Sequence, residues 1–561
     1  MTTKLKFLFL LELTTVIISS QAAILERLSN DDTVIKAGDP VKYVGGVLEY
    51  EAYEDWEGGG ENIVRENVRI ISEYVAEAKT KGVDILVTPE YGLMGLEFQF
   101  VKPQEFFSLL QFIPDPDLRI VPCTTPVDPP NVVVAQDMSC TAKENAMYVV
   151  VDVGEAAPCS PNVRNPYNNT LDTSGHCPAY GYVYYNTQVV FDRDGAVIAR
   201  YRKKNLFLEP VFHPGMDPDE TAIFTTDFGV TFTLLVCFDI AFYRPAVYNH
   251  VTYGIQDAIM STAWFDVLPF FLASNVQNSL SRGLGLNLLV AGFHYPEKAK
   301  LGSGIFRGAT DLEFNYLADP ESGTRLLVSE VDTVASVDVA LGSTSRMSGT
   351  VANHEMLKGK ASVPLGNTSR KPRTVANHEL LKGKEEPDSQ ANRKRKFYYD
   401  DISEYTNVPL EHGDGSSGDV LEAVACHNDD FCCRLTYHPT GKLNYSLVAF
   451  SGLLVKELGF HLYSEVCSVL WCQTDDVTTC SYIEEGLPET DTFGALTLEG
   501  VFNTTFVYPG VVDRNLSVLD NSLYNFTTDE QRFILSTNGP VTDMLSCTIF
   551  SRLYDDMDGL E

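Results

Sequence analysis

Three short, largely apolar runs constrain this chain more than any other feature: Val83-Asp84-Ile85-Leu86-Val87, Met147-Tyr148-Val149-Val150-Val151 and Val230-Thr231-Phe232-Thr233-Leu234-Leu235-Val236. They are rich in β-branched residues and too short for helices, so each reads as a strand buried on both faces. Helical periodicity lies between such runs. Asn62 to Lys81 places Ile63, Ile70, Ile71, Tyr74, Val75 and Ala78 near one stripe and stops at Gly82. Buried strands alternating with helices predict an α/β architecture across residues 23–340.

At 561 residues the chain exceeds a single ordinary core. Its formal charge of −34 repels phosphate backbones and anionic membrane surfaces, so no nucleic-acid partner is expected. Lys4 and Lys6, an apolar stretch from Phe7 to Ile18 and small residues at Ser20, Ala22 and Ala23 read as a signal peptide over residues 1–22. An uncleaved anchor is the competing reading, but Glu12 leaves the stretch short for a bilayer span. No later run is apolar for long enough to span, and Phe550 to Glu561 is acidic where a glycolipid-anchor signal is hydrophobic. The expectation is therefore a secreted, extracellular protein without a stable membrane anchor. Twelve cysteines and sequons at Asn168, Asn367, Asn444, Asn503, Asn515 and Asn525 suit that route as disulfides and glycosylation candidates. Zinc competes for the later cysteines, but no CxxC pair is present.

Residues 341–397 change composition, with twelve Lys/Arg against five Asp/Glu between Leu341 and Lys396. LGSTSRMSGTVANHEMLKGK at Leu341–Lys360 recurs as LGNTSRKPRTVANHELLKGK at Leu365–Lys384, and two copies cannot stack into a solenoid. This is a linker or insertion with a tandem repeat. Its closing basic run, Arg393 to Lys396, reads as a solvated patch in preference to a protease-sensitive site. From residue 398 to 561 the segments are short, β-rich and punctuated by turns, which predicts a second, mainly β domain.

Three residues stand at or just beyond strand ends, where α/β folds place reactive groups. Glu90 follows Val87-Thr88-Pro89, Lys203 lies in Arg200-Tyr201-Arg202-Lys203-Lys204-Asn205-Leu206 after the turn Asp192–Gly195, and Cys237 ends the Val230–Val236 run. Singly, a turn glutamate, a surface lysine and a buried structural thiol are the ordinary explanations. The order Glu, Lys, Cys with Pro-Glu, Tyr-x-Lys-x-Asn-Leu and Cys-Phe-Asp contexts resembles the nitrilase superfamily of carbon–nitrogen hydrolases. Tyr184-Tyr185-Asn186-Thr187, Ser261-Thr262-Ala263-Trp264, His294-Tyr295-Pro296 and Gly302-Ser303-Gly304-Ile305 resemble its vanin and biotinidase branch. So do Ile113-Pro114-Asp115-Pro116, the cysteines from Cys426 to Cys480, and the closing Phe550-Ser551-Arg552-Leu553-Tyr554.

The resemblance implies a nitrilase-like α-β-β-α sandwich followed by a disulfide-bonded, mainly β C-terminal domain. It also implies Cys237 as nucleophile, Glu90 as general base and acid, and Lys203, with the Phe238 N–H, as oxyanion stabiliser, with no cofactor or metal. Lys203 is preferred to Lys204 because the family lysine stands two positions before Asn. Glu209 lies about one position from the family's acidic residue, and the repeat insertion has no counterpart. The implied chemistry is amide hydrolysis through a covalent acyl-enzyme, which needs a base beside a thiol whose free pKa is ~8.5. The implied partner is a small-molecule amide, foremost pantetheine; biotin amides and a catalytically silent glycoprotein of the same fold are the alternatives. Trp264 to Leu272 are candidates for lining the pocket. Four early cysteines can make two pairs and six later ones three, which leaves Cys547 spare, although a Cys237–Cys547 bridge satisfies parity equally.

Overall fold

The computed structural model describes residues 38–127, 131–163, 165–167, 171–173, 177–215, 222–310, 312–335, 395–412, 420–428, 430–438, 444–454, 462–483 and 493–554. The leader expected at 1–22, the duplicated insertion up to residue 394, and the sequons at Asn168 and Asn367 lie outside the described residues.

The chain opens with β1 (Pro40–Glu49), and the helical stripe forms α1 (Gly59–Thr80). Ile63, Val64, Val68, Ile71, Val75 and Ala78 are its buried face, while Ile70 and Tyr74 fall at the margin, partly buried. Gly82, at φ 74°, makes the left-handed turn that ends this segment. β2 (Ile85–Val87) is shorter than its apolar run, because the Asp84 carboxylate is taken up by the Val44 N–H and by Arg193. After α2 (Val133–Asn145) come β3 (Tyr148–Pro158), β4 (Tyr182–Phe191) and β5 (Val197–Arg202), the last two joined through Asp192–Gly195.

A second sheet then begins with β6 (Ile223–Thr225), β7 (Thr231–Val236) and β8 (Asp257–Ser261). Next in the chain come β9 (Val267–Leu268), α3 (Ala273–Leu284), β10 (Asn287–Ala291), and the two-residue pair β11 (His294–Tyr295) and β12 (Lys300–Leu301). β13 (Ser303–Arg307) and β14 (Phe314–Leu317) complete that sheet, and β15 (Arg325–Val334) returns to the first. The strand orders are β15-β1-β2-β3-β4-β5 and β14-β13-β10-β8-β7-β6. The centres of both sheets are parallel, β1-β2-β3 in one and β7-β8-β10 in the other, and these strands carry the continuous apolar runs.

The sheets meet face to face. Val47, Ile85, Val87 and Val150 pack against Phe232, Leu234, Val236 and Ile259. α1 and α2 cover the outer face of the first sheet, and Val276 and Leu280 of α3 pack on the outer face of the second. The opposite side of α3 meets the C-terminal domain. There Arg282 donates to Asn521 and to the Tyr524 carbonyl with its guanidinium over the Tyr524 ring, and Asn278 and Asn521 exchange amide hydrogen bonds.

Beyond the insertion, β16 (Tyr398–Tyr399) pairs in parallel with β9. The remaining strands are β17 (Thr406–Pro409), β18 (Leu421–His427), β19 (Phe431–Tyr437), β20 (Tyr445–Leu454), β21 (Leu462–Trp471), β22 (Leu496–Val501), β23 (Val507–Asp513), β24 (Tyr524–Asp529), β25 (Arg532–Thr537) and β26 (Met544–Ser551). They form two five-stranded sheets ordered β17-β20-β21-β26-β23 and β18-β19-β22-β25-β24, with a core between them. Disulfides Cys426–Cys432, Cys433–Cys467 and Cys472–Cys480 brace this domain, and Cys123–Cys140 and Cys159–Cys177 brace the first. Cys237 and Cys547 are both free and buried, so no bridge joins them.

Two sequence expectations change here. Arg395 is not solvated: its side chain is 8% exposed and pairs with the fully buried Asp266 at 2.8 Å. The apolar residues of the proposed pocket wall divide, since Leu268, Phe270 and Leu272 are core while Trp264 is only partly buried. Among the described residues no helix is long and apolar enough to cross a membrane.

Candidate active site

Glu90, Lys203 and Cys237 come from three strand ends, β2, β5 and β7, at one edge of the sandwich. The β2 end is tied across the sheets: Ser261, at the end of β8, donates to the Thr88 carbonyl at 2.7 Å and accepts from Gln188 on β4 at 2.9 Å. Glu90 thereby projects beside the second sheet. Its Oε1 accepts from Lys203 Nζ at 2.7 Å and from Asn186 Nδ2 at 2.8 Å, and its Oε2 accepts from the Ala263 N–H at 2.8 Å. Glu90 and Lys203 are each 1% exposed.

Cys237 sits at φ 47°, a left-handed conformation that is costly for a residue with a side chain and is found at functional turns. Asp239 holds that turn. Its Oδ2 accepts from the Val236 N–H and the Tyr201 hydroxyl, both at 2.9 Å, and its Oδ1 accepts from Asn205 N at 3.1 Å and Asn205 Nδ2 at 2.7 Å. Burial raises the Asp239 pKa, opposed by the Lys203 charge and by these donors, which favour the carboxylate. One buried anion thus ties the nucleophile turn to the loop that carries Lys203.

Lys204, the neighbour of Lys203, is only half-buried, whereas Lys203 is enclosed against Glu90. Glu209 joins that pair: it is buried, accepts from Lys203 Nζ at 3.0 Å, from Asn186 Nδ2 at 2.9 Å and from the Phe207 N–H at 3.0 Å. Asp152 on β3 is the third carboxylate. Its Oδ1 accepts from the Tyr91 N–H at 2.8 Å, and its Oδ2 has no hydrogen-bond partner among the described residues.

Three carboxylates around one ammonium cannot all ionise cheaply. Burial, reinforced by the charge of Glu90, pushes both Glu209 and Asp152 well above the usual carboxylate range. For Lys203, burial alone favours the neutral amine, but the Glu90 carboxylate and Cys237 outweigh it and raise its pKa. Burial pushes the Cys237 thiol up to about 12, with Glu90 adding to the rise and Lys203 opposing it. The resting nucleophile is thus a thiol, and the arrangement suits a reaction in which proton removal accompanies attack.

Sequence reasoning did not assign Asn186, Asp239, Asp152 or Lys300. Asn186 and Asp239 stand inside quoted phrases, Tyr-Tyr-Asn-Thr and Cys-Phe-Asp, which were the available signals. Lys300 stands in the charged stretch Glu297-Lys298-Ala299-Lys300-Leu301, which gives no sign of burial, yet only 6% of it is exposed.

Comparison with known proteins accords with this layout. The Carbon-nitrogen hydrolase family matches residues 63–260, and the Vanin C-terminal domain matches residues 395–557. The chain is 31% identical over 505 residues to the pantetheinase of Homo sapiens, covering 88% of this chain and 84% of that one. It is 30% identical over 500 residues to the pantetheinase of Bos taurus, with the same coverage of 88% and 84%. It is 26% identical over 496 residues to the biotinidase of Mus musculus, covering 88% of each chain. These relationships support hydrolysis of an amide carbon–nitrogen bond. The fold, the two family matches and the near-full-length relatives lead to one conclusion: the chain belongs to the carbon–nitrogen hydrolases of the nitrilase superfamily, in the branch of pantetheinases and biotinidases.

Proposed function

We propose that this protein is a secreted amidohydrolase that cleaves pantetheine to pantothenate and cysteamine through a Cys237 acyl-enzyme. The observation that carries the proposal is the buried Glu90–Lys203 pair within electrostatic reach of Cys237, which is free, reduced and held at a strained strand end. Glu90 takes the thiol proton as Cys237 attacks the substrate carbonyl. Lys203 and the Phe238 N–H receive the developing oxyanion. Glu90 then protonates the departing amine and activates the water that hydrolyses the thioester. Asn186 and the Ala263 N–H hold the Glu90 carboxylate in place through both turnovers of that proton. The pantetheinase names of the most similar relatives support the substrate, and the five disulfides suit an oxidising compartment. Glycans at Asn503, Asn515 and Asn525 would sit on exposed side chains, with Asn444 half-buried.

The test is release of cysteamine from pantetheine by the purified protein, beside Cys237→Ala and with biocytin as a second substrate. Release that C237A abolishes supports the reading. Turnover of biocytin alone moves the substrate to the biotin amides. No turnover of either, with an unreactive Cys237, refutes the enzyme.

A further inference from the structure

Lys203 is the stronger source of positive field for Cys237, but its ammonium is already paired with Glu90 at 2.7 Å, and the Glu209 carboxyl, pushed well above the usual range, also accepts from it at 3.0 Å. A second cation is present. Lys300 of β12 directs its Nζ to the carbonyl oxygen of Ala263 and sits 3.2 Å from the centroid of the Phe265 ring. Neither contact neutralises it, and among the described residues no carboxylate lies within ion-pairing distance. The Ala263 residue that accepts from Lys300 is the one whose N–H donates to Glu90 Oε2, so the ammonium stands one residue from the base. Phe265 also contacts Phe207, which packs against Phe238 beside the nucleophile.

We propose that Lys300 is the uncompensated cation of this active site, a positioning residue that lowers the energy of negative charge on Cys237 while bracing the Ala263 peptide against Glu90. This rests on Cys237 being the nucleophile. The groups facing Lys300 are Cys237, Glu90, Lys203, Asp266 and Glu209, and its charge favours the anionic form of Cys237 and of Glu209. Burial lowers Lys300 itself to about 8, with Cys237 and Glu90 opposing, so the ammonium predominates at neutral pH and is lost on the alkaline side. A lysine kept in such a place without a counter-ion costs folding energy, whereas an apolar residue of similar length would be tolerated there.

The experiment is the pH dependence of Cys237 alkylation by iodoacetamide in the full-length protein, which needs no knowledge of the substrate. Wild type is compared with Lys300→Met, Lys300→Gln and Lys300→Arg, with folding of each checked by thermal melting. Gln keeps a donor for the Ala263 carbonyl without charge, and Arg keeps the charge. The expected result is a loss of about tenfold in rate at pH 7.5 for K300M and K300Q, equal to about one unit of thiol pKa, with recovery to within about threefold in K300R. A folded K300Q that alkylates like wild type overturns the inference and leaves Lys300 a structural strut. Absence of label at Cys237 in wild type overturns the nucleophile reading itself, a distinguishable failure. If K300M does not fold, K300Q against K300R still separates charge from hydrogen bonding.

Discussion

Asp239→Asn is the most informative substitution for testing how the nucleophile turn is held. The carboxylate accepts four hydrogen bonds in two pairs, Asn205 N and Nδ2 on one oxygen and the Val236 N–H and Tyr201 hydroxyl on the other. An amide can keep only one oxygen. With that oxygen toward Asn205, the new NH2 faces the Val236 N–H, and Tyr201 can rotate its hydroxyl to accept. The orphaned Val236 N–H costs about 1–3 kcal/mol, and each bond retained to Asn205 loses its charge assistance, ~1 kcal/mol apiece. Burial of a neutral amide in place of an anion offsets part of this, so the net loss is about 2–4 kcal/mol. The damage is local to the Leu235–Val236 peptide, one residue before the Cys237 turn, where a displacement of ~1 Å can cost about 100-fold in rate. Urea denaturation read by tryptophan fluorescence and the alkylation rate of Cys237 measure the two effects. A D239N protein within ~0.5 kcal/mol of wild type and alkylated at the wild-type rate would refute the account.

Removing the 34-residue Cys433–Cys467 cross-link as C433A/C467A should lower stability by about 4 kcal/mol on the chain-entropy account, seen as an earlier denaturation midpoint. Asp257 is buried at the start of β8, and burial raises its pKa to about 6 despite bonds from Thr333, Asn287 and Tyr43. A raised carboxylate pKa gives stability that is full below the unfolded value of ~3.9 and lost as pH rises through about 6, so this residue should cost on the order of 3 kcal/mol between those limits. Asp257→Asn should remove that pH dependence, and a denaturation series from pH 4 to 7 checks it. Arg395→Met leaves the buried Asp266 carboxylate without its ion-pair partner, a penalty of about 3–5 kcal/mol that the short β16 junction should yield to first. Limited trypsin digestion should then cut at Lys396 faster than in wild type.

The apolar runs and the helical stripe carried the coarse fold because burial periodicity is local. Val230–Val236 needs only its own residues to announce a buried strand, and the cysteine-rich, turn-punctuated tail announces a braced β domain. The α1 boundary moved to Gly59 because the Asp55-led turn and Gly60 continue into the helix without an apolar signal. Glu90, Lys203 and Cys237 were legible as strand-end residues, but their surroundings were not. Asn186 reaches Glu90 across 96 positions and Ala263 reaches it across 173, contacts that no local pattern encodes. Glu209 looked displaced in sequence, yet the loop after β5 brings it to Lys203. Arg395 read as solvated because its neighbours are all basic; its partner Asp266 is 129 residues away.

α3 has a consequence for how this enzyme can be divided. One side of it buries Val276 and Leu280 against the catalytic sheet, while Gly283 lies so close to Tyr508 that an added Cβ would stand 2.7 Å from its ring. Asn275, Asn278 and Arg282 are satisfied by, or fitted against, residues after 500. A fragment stopping before Arg395 would therefore present wet amides and a half-stripped helix where the intact chain has an interior. The two family regions are separable as sequence matches but interdependent as folding units, so the C-terminal domain should be inherited, expressed and lost together with the catalytic one.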